Sequence, residues 1–262
     1  MGLAGTDRQR LAAARAADFH GGRAPALRVA SAVALAAIAA AASGCSVKGE
    51  NDVNLIAGKQ QFVAKCGSCH ILARAGTKGI VGPNLDEAFR ASLSEGIKRN
   101  TVRGVVEGQI HIPNPEGAMP KDLLKGRAAR DVAAYVAQSV DRTGQDTGLL
   151  ATAVAPAGAG KPAEEKNGKL VIAASPTGQL AYGTNKATAK PGAAVVEMPN
   201  QSGVDHNIAI QQDKSGPVLG SSPIIAKGSA KTTVTLKPGT YTFFCEVPGH
   251  RQAGMEGTLT VK

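Results

Sequence analysis

Cys66-Gly67-Ser68-Cys69-His70 sets two thiols two residues apart with an imidazole beside the second. Thiols at that spacing can add to the two vinyl groups of a haem, and the adjacent His is then held beneath the ring to ligate iron. A bare Cys-x-x-Cys pair would more often mean zinc or thiol redox chemistry. The sequence has no second zinc-type Cys pair, and no βαβ pattern surrounds this one as a thioredoxin site requires. The motif therefore reads as one covalent c-type haem, with Cys66 and Cys69 as attachment points and His70 as an axial ligand.

A second constellation lies near the end of the chain. Cys245-Glu246-Val247-Pro248-Gly249-His250-Arg251-Gln252-Ala253-Gly254-Met255 has Cys-x4-His-x4-Met spacing, and His206 opens the upstream run His206-Asn207-Ile208-Ala209-Ile210. A thiolate, two imidazoles and a weak axial thioether form the ligand set of a blue copper site, in which one geometry serves both oxidation states. A lone Cys at a strand end is usually a small buried residue and a lone His a satisfied or exposed one; the ordered combination within one loop carries the copper reading. Tyr241, Phe243 and Cys245 share strand parity, which should aim Cys245 into an apolar interior. Glu246 reads as an ordinary solvated carboxylate.

These residues need elements to position them. Over 54–140 the pattern is mainly helical: Leu55, Gly58 and Phe62 fall near one face, and Val132, Tyr135, Val136 and Ser139 recur at three and four. From residue 169 onward short β-rich runs take over; Val234 and Leu236 alternate with Thr233, Thr235 and Lys237, and Pro-Gly pairs supply turns. The Ala, Gly, Pro and Thr-rich stretch 143–166 reads as a flexible linker. At the start, an Arg-bearing segment precedes a short apolar run over 29–42, too short to span a bilayer, so residues 1–44 read as an export signal.

The helical stretch resembles a class I monohaem cytochrome c. Gly58, Phe62 and Tyr135 match that family's crossing of N- and C-terminal helices. Gly82-Pro83-Asn84-Leu85 is similar to its loop whose Pro83 carbonyl would orient His70, and Gly117-Ala118-Met119-Pro120 stands where the family places its distal ligand. The resemblance implies Met119 as the sixth iron ligand; a core gap-filler is the bland alternative for Met119, and His111 the rival ligand. The C-terminal stretch resembles the blue copper proteins, or cupredoxins, with loop spacing similar to rusticyanin. That resemblance implies Asn207, after the first ligand His206, as the residue that pins the ligand loops. Ala42-Ser43-Gly44-Cys45 resembles a bacterial lipoprotein cleavage box, implying a lipid on Cys45. The fold expected is thus multidomain: an export signal (1–44), an all-α cytochrome c domain (45–142), the linker (143–166) and an all-β cupredoxin Greek-key sandwich (167–262).

With 30 Lys plus Arg against 20 Asp plus Glu the chain carries +10, but its aromatics are only 3%, leaving few side chains to stack bases; no nucleic-acid role is expected. The function expected is electron transfer through one c-type haem and one type 1 copper, by an exported, lipid-anchored protein at the outer face of the cytoplasmic membrane or in the periplasm. The two families' usual roles imply redox protein partners, a quinol-oxidising complex and a terminal oxidase. No enzyme is expected, although a nitrite-reductase-like copper enzyme and a copper-binding protein without redox duty stay open. Against the enzyme stands the His count: of five, one lies in the signal and three are assigned as ligands, leaving His111 where a catalytic copper needs several.

Overall fold

Helix α1 (Leu55–Lys65) begins where Asn54 can cap it, its side-chain oxygen accepting the Ala57 amide at 3.0 Å. In the computed structural model, which describes residues 53–262 of the chain, this is the first of four helices. The export signal, the proposed lipid site Cys45 and the start of the expected haem domain lie outside the described residues. The hairpin β1 (Ile71–Leu72) and β2 (Thr77–Lys78) follows, then α2 (Leu85–Ser94), α3 (Arg99–His111) and α4 (Gly126–Ser139). None of the helices among the described residues is long and apolar enough to cross a membrane.

Helices α1 and α4 cross at Gly58, where a Cβ would collide with the Asp131 carbonyl oxygen. Only glycine permits that approach. It brings the Phe62 and Tyr135 rings to 6.3 Å between centroids, tilted by 53°. Both side chains are fully buried. Arg99 at the start of α3 donates to the carbonyls of Ala137 and Val140, satisfying the end of α4.

The remaining strands build a two-sheet sandwich. One sheet has the order β3 (Ala163–Glu164), β5 (Lys186–Ala189), β11 (Glu256–Val261), β10 (Gly239–Phe244), β7 (Ala209–Gln212), β8 (Val218–Ser221). The other has β4 (Lys169–Val171), β6 (Gly192–Asn200) and β9 (Gly228–Leu236). Alternation decides which side chains face inward: Ala194, Val196 and Met198 on β6 and Val234 and Leu236 on β9 meet Ile210, Phe243 and Leu259 of the opposite sheet in one core.

The segment 143–166 departs from the flexible coil expected of its composition. Asp146 is buried, accepts the Tyr135 hydroxyl at 2.8 Å and forms ion pairs with Lys59 Nζ at 2.9 Å and Arg74 Nε at 3.1 Å. Lys59 and Gln60 also donate to the Leu150 and Ala153 carbonyls, which lays the segment along α1. Farther on, Gln179 donates to the Ala155 carbonyl, the Asn185 amide to Gly158, and β3 joins the large sheet through β5. The Ala, Gly, Pro and Thr composition that suggested a free coil hides one buried carboxylate that pairs with the buried Lys59 and the partly buried Arg74. The segment is a strap bonded to both folds.

Removing Asp146 would strand Lys59, which is only 6% exposed, and unpairing a buried charge is costly. Asp146→Ala is expected to destabilise the helical domain by about 3 kcal/mol in urea unfolding. A loss below about 1 kcal/mol would mean the ion pairs are solvated and the strap is loosely held.

Candidate metal centres

Loop and strand geometry converge three donor atoms in the β sandwich. Strand β10 carries Cys245 just past its end; the Cys245 amide donates to Met255 O at 3.1 Å and the Met255 amide to His250 O at 2.9 Å, closing the loop on itself. His206 enters from the segment before β7, its backbone exchanging both hydrogen bonds with Ile225. His206 Nδ1 lies 3.1 Å from His250 Nδ1, and Cys245 Sγ is 3.5 Å from that same nitrogen. The donor atoms of these three residues all fall within 4.8 Å of one another. His206 and Met255 are fully buried, and Cys245 nearly so.

The electrostatics suit soft metal ligands and not charged acid–base groups. Burial, helped by the neighbouring His250, pushes the His206 imidazole down to about 4. Burial likewise lowers His250. At Cys245 burial raises the thiol, while hydrogen bonds from the Asn207 and Val247 amides stabilise the thiolate. Two neutral imidazoles and a sulfur, with no carboxylate among them, form a donor set that favours copper.

Asn207 ties the two ligand segments together. Its side-chain oxygen accepts the Glu246 amide at 2.8 Å, and its Nδ2 donates to the Glu246 carboxylate at 2.6 Å. Glu246 is exposed, as its reading as a solvated carboxylate expected, and it is also half of a tether to Asn207. Sequence reasoning missed Tyr182, whose buried hydroxyl donates to the Asn207 carbonyl at 2.7 Å. It also missed Asn200, whose side-chain amide holds the Val204 and Ile225 carbonyls and so shapes the approach to His206. Neither residue lies in a recognisable motif, and each has a partner 25 residues away in the sequence.

Residues 170–262 match the family of copper binding proteins described as the plastocyanin/azurin family. This segment is a cupredoxin domain. The ligand set of its type 1 copper site is His206, Cys245, His250 and Met255. Solved structures similar to the chain include a dithionite-reduced auracyanin from the photosynthetic bacterium Roseiflexus castenholzii, at 26% identity and TM-score 0.34, covering 37% of this chain and 99% of that one. Auracyanin B is similar at 26% identity and TM-score 0.33, covering 40% and 96%. Rusticyanin from Thiobacillus ferrooxidans is similar at 21% identity and TM-score 0.31, covering 38% and 82%. The comparison with curated proteins gave no match.

The helical part places its motif residues as follows. Cys66 caps the end of α1 and is buried, which pushes its thiol up to about 12. The Cys69 and His70 amides turn back onto the Cys66 carbonyl. His70 Nδ1 donates to the Pro83 carbonyl at 2.9 Å, and its ring lies against Gly82, where a Cβ would overlap it. Met119 is half-buried against the helical core. His111 ends α3, and its Nδ1 is 2.8 Å from Asp122 Oδ1.

Two outcomes follow for the cupredoxin domain. Asn207→Ala leaves the Glu246 amide without its partner and should destabilise copper-free protein by about 1–3 kcal/mol in denaturant unfolding; no loss would mean the tether is dispensable. His206 has a folded pKa below its ordinary 6.5, so the stability it contributes is present above 6.5 and lost as pH falls through about 4. Relative to His206→Gln, copper-free wild type should lose up to about 3 kcal/mol over that window. Parallel pH profiles for the two proteins would contradict a buried neutral imidazole.

Proposed function

We propose that this protein is a one-electron carrier with two redox centres: type 1 copper in the cupredoxin domain and one c-type haem in the helical domain. The observation that carries the electron-transfer reading is the buried convergence of His206, Cys245 and His250, with Met255 buried on the same loop. A donor set so closed leaves copper free to change charge while holding no substrate. Copper bound there supplies reversible one-electron chemistry, and the chain's part is to fix the donors and exclude water.

The haem reading rests on the Cys66-Gly67-Ser68-Cys69-His70 motif and on its surroundings. The Pro83 carbonyl occupies His70 Nδ1, which leaves Nε2 as the nitrogen available to iron. The absence of a side chain at Gly82 admits the imidazole ring, and Ile80 and Val81 beside it are large apolar residues each 67% exposed. These residues fit a covalently held haem: Cys66 and Cys69 would attach it, and His70 and Met119 would be its axial ligands. When bound, the haem supplies a second one-electron couple. Crossed helices meeting at Gly58, Phe62 and Tyr135 add support for a cytochrome c domain.

In this reading the protein is exported and lipid-anchored at Cys45, on the outer face of the cytoplasmic membrane or in the periplasm, and serves a respiratory chain between a quinol-oxidising complex and a terminal oxidase. The basis is the short apolar run over 29–42 and the Ala42-Ser43-Gly44-Cys45 box. Net positive charge favours salt-sensitive docking to acidic partner surfaces.

Visible spectra of purified holoprotein and its variants test the two centres separately. Cys245→Ser should abolish the intense thiolate-to-copper absorption and leave the haem bands intact, whereas Met119→Ala should alter the haem bands and leave the copper absorption. A haem spectrum unchanged in Met119→Ala removes Met119 from the ligand set, and a holoprotein with no haem bands removes that centre altogether.

A further inference from the structure

The segment from the end of β2 to Gly82 touches the loop that supplies three of the copper ligands. Gly249, with φ of +84°, sits so close to Ile80 that an added Cβ would lie 3.0 Å from Ile80 Cδ1 and 3.2 Å from its Cγ1. A Cβ on Gly254 would lie 3.8 Å from Lys78 Nζ. A separate contact reinforces these: Gly178, at φ of +73°, packs onto the backbone of Ala64, near the end of α1 and two residues before Cys66. All of these residues belong to one compact unit, Asp52–Lys262. The strap bonded to both folds limits how far they can separate.

Position gives the Ile80 contact its meaning. Gly249 immediately precedes the ligand His250, and Ile80 lies two residues before Gly82, against which the His70 ring rests. Two van der Waals approaches, Gly249 on Ile80 and Gly82 on His70, therefore join the two imidazoles through a few intervening residues. A side chain at position 249 would be disfavoured by its positive φ and would also push Ile80 away. Ile80 is 67% exposed as a whole, so the contact with Gly249 is made by Cδ1 and Cγ1 at its tip and needs no polar partner.

We propose that the 78–81 segment beside His70 is a built-in docking surface for the copper-ligand loop, with Ile80 as its positioning residue. The partner facing the copper loop is then this chain's own helical domain. This rests on the reading that the helical domain holds a haem at Cys66, Cys69 and His70, which makes both docked sites one-electron sites.

Methyl resonances of the full-length holoprotein, selectively labelled at isoleucine, test the contact in solution. The Ile80 signal is assigned by its disappearance in Ile80→Leu and compared between protein loaded with diamagnetic zinc and with paramagnetic cupric ion at the cupredoxin site. Ile80 is expected to lose most of its intensity in the cupric form; equal intensity in the two forms overturns the docking surface. Haem content is measured on the same sample by its alkaline pyridine absorption. Intensity loss without haem keeps the docking surface and removes the haem, whereas haem without intensity loss does the reverse.

Discussion

Two neutral imidazoles and a sulfur buried within 4.8 Å of one another are the constraint on which the C-terminal structure depends. Such donors lose their water on folding and find little in each other, since two facing imidazole nitrogens can share only a single proton. The arrangement becomes favourable when a cation takes their lone pairs. What the fold must then supply is rigidity, so that the donors stay in place whatever the charge of the ion. It does so through β10 and its closing loop, through the backbone pair between His206 and Ile225, and through the Asn207–Glu246 tether. Tyr182 extends that support into the core by holding the Asn207 carbonyl while its ring packs edge-on against Phe243 at 5.3 Å.

The helical domain obeys a different constraint, close approach of backbone. Gly58 lets α1 and α4 cross, Gly67 and Gly79 let the Cys66–His70 turn pack against the segment after it, and Gly82 leaves room for the His70 ring. A Cβ at Gly67 would lie 2.5 Å from the Thr77 side chain. Glycine at these places is required by contact and not by turn conformation, because none of these positions has a positive φ. The charge cluster on Asp146 then fastens the strap to the same helices, and burial together with the Asp146 bond holds the Tyr135 phenol well above its ordinary range. Two folds with unrelated cores are thus bonded to one common segment.

Legibility in the sequence followed from locality. Cys245, His250 and Met255 fall within one loop, so their spacing alone indicated a metal site, and the strict alternation of Val234 and Leu236 marked a half-buried strand. The Gly58, Phe62 and Tyr135 positions could be paired because a family pattern relates them. The Asp146 cluster could not be read, since Asp146 is surrounded by residues typical of linkers and its partners Lys59, Arg74 and Tyr135 are scattered along the chain. The Asn207–Glu246 tether could not be read for the same reason: its two residues lie 39 apart. Composition describes the average character of a segment, whereas a single buried carboxylate decides whether that segment is bound.

The central claim is that one polypeptide holds two metal centres whose ligand shells are closed, so that only electrons enter and leave. An anaerobic coulometric titration of the natural holoprotein, followed in the visible spectrum, tests it most directly. The account predicts uptake of two electrons per chain, one bleaching the thiolate-to-copper absorption and one changing the haem bands. Uptake of a single electron, or a copper absorption that bleaches without any haem change elsewhere in the titration, would contradict it.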